Sequence, residues 1–140
     1  FFADSSVMDT GLVACTIPNV VTATENESLL AIPTPDEIFE TLKSMDHSSS
    51  PGPDGFGGSF YFMCWSIVGN DVVQAVQRFF SQGNILPHFN FNLMILIPKA
   101  DGANSVNHLR PTALANFSFK IITKILADRL SLIAARIVSS

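Results

Sequence analysis

The spacing of apolar residues changes character along the chain, and the sharpest stretch runs from Leu93 to Leu114. Leu93-Met94-Ile95-Leu96-Ile97 is a short continuous apolar run that closes on Pro98-Lys99. A polar segment follows from Ala100 to His108, rich in Asn, Asp, Gly and Ser, and then Leu109-Arg110-Pro111-Thr112-Ala113-Leu114. Runs of this length bounded by turn residues predict strand, loop and strand, which pair as an antiparallel hairpin over about 91–114. Each strand carries one cation beside a proline. Because proline lacks a ladder donor, both positions belong at strand ends or edges. The pairing then brings Lys99 and Arg110 close together at an open, solvent-facing end of the hairpin.

Elsewhere the period is helical. Thr34-Pro35-Asp36-Glu37 reads as a capping box, with Thr34 as cap, Pro35 in the first turn and Glu37 reaching back to the cap. Ile38, Leu42 and Met45 then line one side of a helix that ends near Met45. His47 to Gly58 holds three Ser, two Pro and four Gly and is a loop. Phe60 to Val68 is apolar on nearly all faces, as a helix buried on several sides would be. Gly69-Asn70-Asp71 resets the chain before a second amphipathic helix through Val72, Val76, Phe79 and Phe80, stopped by Gly83. Asn116 can cap a long helix to about Ile137, with Ile121, Ile122, Ile125, Leu126, Leu130, Ile133 and Ile137 on one broad face. Residues 1–30 are mixed and turn-prone, a leader without a determined element. The pattern predicts an α+β, helix-rich fold.

Composition adds a constraint. With 140 residues, 47% of them apolar, the chain can bury one core. A mean hydropathy of +0.33 with 14% charged residues is high for a free-standing domain, so part of the apolar surface expects a neighbour. The chain starts at Phe1 and stops after a helical pattern, which reads as a fragment. Charge is segregated: residues 1–77 carry one Lys against ten Asp/Glu, net −9, and residues 78–140 carry seven Lys/Arg against two Asp, net +5, together the −4 of the whole chain. Only the C-terminal part can offer the basic footprint that nucleic acid requires. Cys15 and Cys64 form no paired motif, and His47, His88 and His108 are too far apart for metal-ligand spacing. No apolar run approaches a membrane span. That fits an intracellular protein whose compartment stays open, the nucleus included.

Candidate chemistry is sparse. Two adjacent cations such as Lys99 and Arg110 suit a polyphosphate, a point charge beside a planar fork, but spacing alone favours two solvated surface charges flanking a loop. The loop at 47–58 lacks the Lys-Ser/Thr of a phosphate-cradling loop, and Asp54 in Pro-Asp-Gly reads as a turn former. Phe60, Tyr61, Phe62 and Trp65 have helical spacing and read as core before they read as a base-stacking platform. Lys120 and Lys124 stand four apart on the polar side of the last helix. Arg129 and Arg136 fall inside its apolar arc, where a cation must snorkel, pair with a carboxylate or face a groove.

Several motifs in one order carry a resemblance. Ser50-Pro51-Gly52-Pro53-Asp54-Gly55-Phe56, the helix from Trp65 through Phe79-Phe80 and Gly83, Leu96-Ile97-Pro98-Lys99, Leu109-Arg110-Pro111, Lys120-Ile121-Ile122 and Leu126-Ala127-Asp128-Arg129-Leu130 resemble non-LTR (LINE-type) retrotransposon reverse transcriptases of plant-like flavour. The likeness runs from about Ile17 to the end and covers the fingers and the start of the palm. Thr112-Ala113 departs from the Ile-Ser usual after Arg-Pro, and His47-Ser48-Ser49-Ser50 is less charged than the usual run before the Pro-Gly-Pro-Asp-Gly box.

The resemblance implies part of a right-hand polymerase over 31–140, working on an RNA template and a DNA primer. Lys99 and Arg110 would bind the triphosphate of an incoming deoxynucleotide, while Asp54, Gly55, Lys120, Lys124 and Arg129 are candidate template contacts. In that family two Mg²⁺ ions held by palm aspartates drive attack by the primer 3′-hydroxyl. This chain has no Asp-Asp pair and no palm motif, so an isolated fragment is expected to hold no metal, to be inactive and to pack against the remainder of a polymerase. The alternative is a non-catalytic helical interaction domain or the remnant of a truncated or domesticated element.

Overall fold

The computed structural model describes residues 20–138 apart from Leu86. Five α-helices and one β-hairpin are present among them: α1 Ala23–Leu30, α2 Pro35–Ser44, α3 Gly58–Met63, α4 Trp65–Gln82, β1 Asn92–Pro98, β2 Leu109–Ala115 and α5 Phe117–Val138. Short 3-10 turns at Pro87–Asn90 and Val106–His108 lead into β1 and β2. The α+β, helix-rich reading holds at this level.

Helix α5 is the axis of the body. Phe117, Ile121, Ile122 and Ile125 on its inner face meet Ile38 and Leu42 of α2, Tyr61 of α3, and Val72 and Val76 of α4. Removing these side chains from water is what holds the helices together. No buried side-chain polar atom lacks a partner among the described residues. None of the described helices is long and apolar enough to cross a membrane.

Local chemistry explains the helix starts. Thr34 caps α2 by accepting from the Glu37 N–H at 3.1 Å, with Pro35 in the first turn. The Glu37 carboxylate does not reach back to the cap, however; it pairs with Arg129. The reciprocal capping box belongs to α1. There Thr22 Oγ1 accepts from the Glu25 N–H at 3.3 Å and the Glu25 carboxylate accepts from the Thr22 N–H at 2.8 Å. Residues 23–30 of the expected leader are therefore helical, while residues 1–19 lie outside the described residues.

A second correction concerns the middle helices. The break falls at Cys64, whose φ of −97° and ψ of 15° leave the helical region, and α4 runs unbroken through Gly69-Asn70-Asp71. Gly69 is there because the Trp65 ring lies against it: an added Cβ would sit 2.8 Å from the indole. Trp65 in turn stacks on Phe39 at 5.0 Å. Nor is the segment from Phe60 to Val68 buried on several sides as its apolar faces suggest: Met63 is 80% exposed and Ile67 78%. Gly83 ends α4 in the left-handed region, φ 67°, with its N–H bonded to the Phe79 carbonyl, as a C-terminal glycine should.

The hairpin pairs from Asn92↔Ala115 to Pro98↔Leu109 without a bulge. Beyond it the Lys99 N–H still donates to the His108 carbonyl at 2.9 Å. Bonded and non-bonded pairs alternate in an antiparallel ladder, so Ile97–Arg110, Ile95–Thr112 and Leu93–Leu114 are the bonded pairs. Pro111 falls on a non-bonded pair with Leu96, where an N–H would point away from β1. Its missing donor costs the hairpin nothing.

Candidate functional site

Lys99 and Arg110 come to one end of the hairpin, which is the end closed by the loop 99–108 and not the open end expected. Arg110 pairs with Ile97, and Lys99 continues that face two residues on, beside His108. Diagonal neighbours of this kind lie roughly 7–8 Å apart, within reach of two long side chains. Both cations are exposed. The Lys99 ammonium is docked on the loop, donating to the Asn107 carbonyl at 2.9 Å. A shallow concavity of about 290 Å³ lies here, lined by Lys99, Ala100, Asp101, Gly102, Ala103 and His108. Arg110 is not among its walls, and Asp101 brings a carboxylate into them. Gly102 allows the turn with φ 78°.

The Pro-Gly-Pro-Asp-Gly box is built against the other end of β2. Gly55 N–H donates to the Gly52 carbonyl at 3.0 Å across Pro53-Asp54, and the Asp54 carboxylate accepts from the Phe56 N–H at 3.0 Å. Asp54 is thus the turn former that its neighbours suggest. Its own N–H donates to Asn116 Oδ1 at 3.2 Å. Gly52 presses still closer: a Cβ there would lie 2.4 Å from the Asn116 nitrogen and 2.6 Å from the Ala115 carbonyl carbon. Lys120 completes the anchor, its ammonium donating to the Ser50 carbonyl at 2.9 Å while standing over the Phe117 ring. Box, strand end and helix start form one joint. Sequence reasoning named Asn116 only as a cap; the Gly between two prolines was the signal for a close approach of backbone.

Beneath the box, Phe56, Phe60, Tyr61, Val68, Asp71, Val72, Phe89 and Ser118 enclose about 370 Å³. Burial pushes the Tyr61 hydroxyl pKa up against the opposing hydrogen bond of Ser118, and the ring stacks on Phe117 at 5.6 Å. Tyr61 and Phe60 serve the core. Phe62 is half-exposed and stacks on His47 at 4.6 Å.

The remaining candidates lie along α5. Lys124 pairs with Asp128 at 2.5 Å on the surface. Arg129, with its side chain 12% exposed, forks onto Glu37 with Nε and Nη2 each donating at 3.0 Å. Its Nη1 donates to the Leu29 and Ala31 carbonyls, and its guanidinium lies 5.1 Å from the centre of the Phe80 ring. Arg136 holds Glu25 at 2.6 Å. Both arginines of the apolar arc thus pair with carboxylates and fasten α1 and α2 to α5. The joint gathers Asp54, Gly55 and Lys120, the tip gathers Lys99 and Arg110, and Arg129 is turned into the body. Among the described residues no three His, Cys, Asp or Glu side chains come together where they could share a metal ion.

No family model matches the chain. Over 119 residues, 85% of its length, it is 28% identical to a protein of Xenopus laevis described as "Transposon TX1 uncharacterized 149 kDa protein". The chain resembles a piece of a transposon protein. The match spans only 9% of that relative, and it supports a transposon origin for this sequence.

Proposed function

We propose that this chain is the fingers region and start of the palm of a LINE-type RNA-directed DNA polymerase, with Lys99 and Arg110 as contacts for the triphosphate of the incoming nucleotide. The observation that carries this reading is the hairpin register, which sets both cations on one exposed face at the loop end. The similarity to a transposon protein supports the class of element. An exposed Lys-Arg pair offers a point charge and a planar fork to phosphate oxygens, each a charge-assisted hydrogen bond. Lys99 need only leave the Asn107 carbonyl to engage a ligand. Asp54, Gly55 and Lys120 act through the joint, and Lys124, paired with Asp128 at the surface, would exchange that carboxylate for a template phosphate.

The residues present do not fit a Mg²⁺ pair. Asp54 is engaged by its own turn, and among the described residues no three His, Cys, Asp or Glu side chains gather where they could share an ion. Phosphoryl transfer is therefore not assigned to this chain's residues; binding and orienting a triphosphate is.

The test is equilibrium binding of a deoxynucleoside triphosphate to the wild-type chain, Lys99→Ala and Arg110→Ala. Each substitution should weaken binding about tenfold, the worth of one charge-assisted hydrogen bond. Inorganic triphosphate should compete and the nucleoside should not. Unchanged affinity in both variants would overturn the reading. It would favour instead a helical interaction domain without catalytic duty, a reading supported by the docked state of Lys99.

A further inference from the structure

The hairpin stands off the helical body with its two strands packed on each other and on little else. Four of the five apolar residues of β1 from Leu93 to Ile97 are exposed, on both faces of the sheet, with Met94 at 62% and Leu96 at 56%. A two-stranded sheet is marginal in water, and a third strand with an apolar face is the usual remedy. Each strand also has an outer edge, and the two edges differ.

The register decides what each edge offers. Residues of non-bonded pairs turn their backbone groups outward. On β2 these are Leu109, Pro111, Ala113 and Ala115, so the centre of that edge lacks a donor, and Arg110 flanks it. Proline and a charge are two common guards against edge pairing. On β1 the outward groups belong to Asn92, Met94, Leu96 and Pro98. That edge is straight, uncharged and free of proline until its last residue. Natural edges left this way pair with another strand.

We propose that the β1 edge pairs with the β1 edge of a second copy, antiparallel about a two-fold axis at Ile95. The segment is complementary to itself. In this register Asn92 faces Pro98 and Met94 faces Leu96 of the other copy, with the Met94 and Leu96 N–H and carbonyl groups exchanging bonds. No charge meets a like charge, because β1 has none and Lys99 lies beyond the paired segment. The product is a four-stranded sheet, β2–β1–β1–β2, whose outer edges are both β2, with Pro111 near the centre. The assembly closes at two copies, as an isologous contact must. This inference is independent of nucleotide binding.

Sedimentation velocity over a range of protein concentrations tests it, with variants that separate edge pairing from general stickiness. Leu96→Pro removes an outward donor and no ladder bond, the counterpart of Pro111 across the hairpin. It should raise the dimer dissociation constant at least tenfold while the far-ultraviolet circular dichroism stays that of the wild type. Ala113→Pro makes the same change on the β2 edge and should leave association unaltered. Two double variants read the register directly, and both remove the same apolar side chains. M94K/L96K sets lysine against lysine twice and should be monomeric; M94K/L96E sets lysine against glutamate twice and should dimerise, less so in high salt. A wild-type chain that stays monomeric throughout, or two double variants that associate alike, would overturn the proposal.

Discussion

The helical body and the hairpin are built on opposite principles. In the body the apolar residues converge: Phe117, Ile38, Leu42 and Val76 are fully buried, and the charged groups around them are tied in pairs. The first strand of the hairpin has as dense an apolar sequence and buries none of it fully, and on β2 Leu109 and Leu114 are only half-buried. One region has its partner inside the chain. The other has its backbone satisfied only along one seam. Apolar content therefore says how much surface seeks cover, and only the register and the contacts say whether the cover is present.

The largest effect that would test this contrast is in the core. Phe117→Ala should cost about 3–5 kcal/mol, a transfer loss plus a cavity, in urea unfolding. Leu96→Ala, on an exposed strand, should stay within about 0.5 kcal/mol. Equal costs would mean that the hairpin is covered after all.

Next comes the joint between the two regions. Gly52→Ala puts a methyl 2.4 Å from the Asn116 nitrogen, and backbone cannot step aside as a side chain can. Destabilisation of about 1–3 kcal/mol is expected, with changed chemical shifts at Asn116. A neutral substitution would show that the box is not held against the hairpin root.

Arg129→Met should cost about 2 kcal/mol, because it strands the Leu29 and Ala31 carbonyls and half-buried Glu37. Arg129→Lys should recover only part of this, since an ammonium cannot fork onto the carboxylate. Full recovery would mean that charge alone matters at this site.

The smallest effect is confined to α1. Glu25 is held down at about 2, against an ordinary value of 4.5, first by its bond from Arg136 and then by the Thr22 N–H and hydroxyl. Folding thus favours the ionised form. Its stabilising effect is complete above about pH 4.5, declines as the pH falls and is lost below about 2. Amide exchange in α1 should accelerate across that window while exchange in α5 around Ile121 to Ile125 does not. Glu25→Gln should remove the dependence.

Much of this architecture was legible beforehand because it rests on local rules. The strand–loop–strand unit, the Thr34 cap, the Gly83 stop and the inner face of α5 all follow from spacing and backbone preference. What was not legible depends on distant partners. Glu37 looks like half of a capping box until Arg129, 92 residues away, competes for its carboxylate. Gly69 looks like a helix breaker until Trp65 fills the space of its missing side chain. The helix at 23–30 could have been found, since Thr22-x-x-Glu25 is the same signal as Thr34-x-x-Glu37. For the candidate site, sequence placed both cations on one hairpin but could not foresee that Lys99 would rest on Asn107 or that Asp101 would stand beside it.

A hairpin secured at its root is a lever. Seven residues at roughly 3.3 Å each carry the tip about 23 Å from Asn116, so a rotation of about 5° at the root swings Lys99 by about 2 Å. The position of anything held at the tip is therefore set by the angle at the root. The absent side chain of Gly52 lets two stretches of backbone seat directly on one another at that bearing.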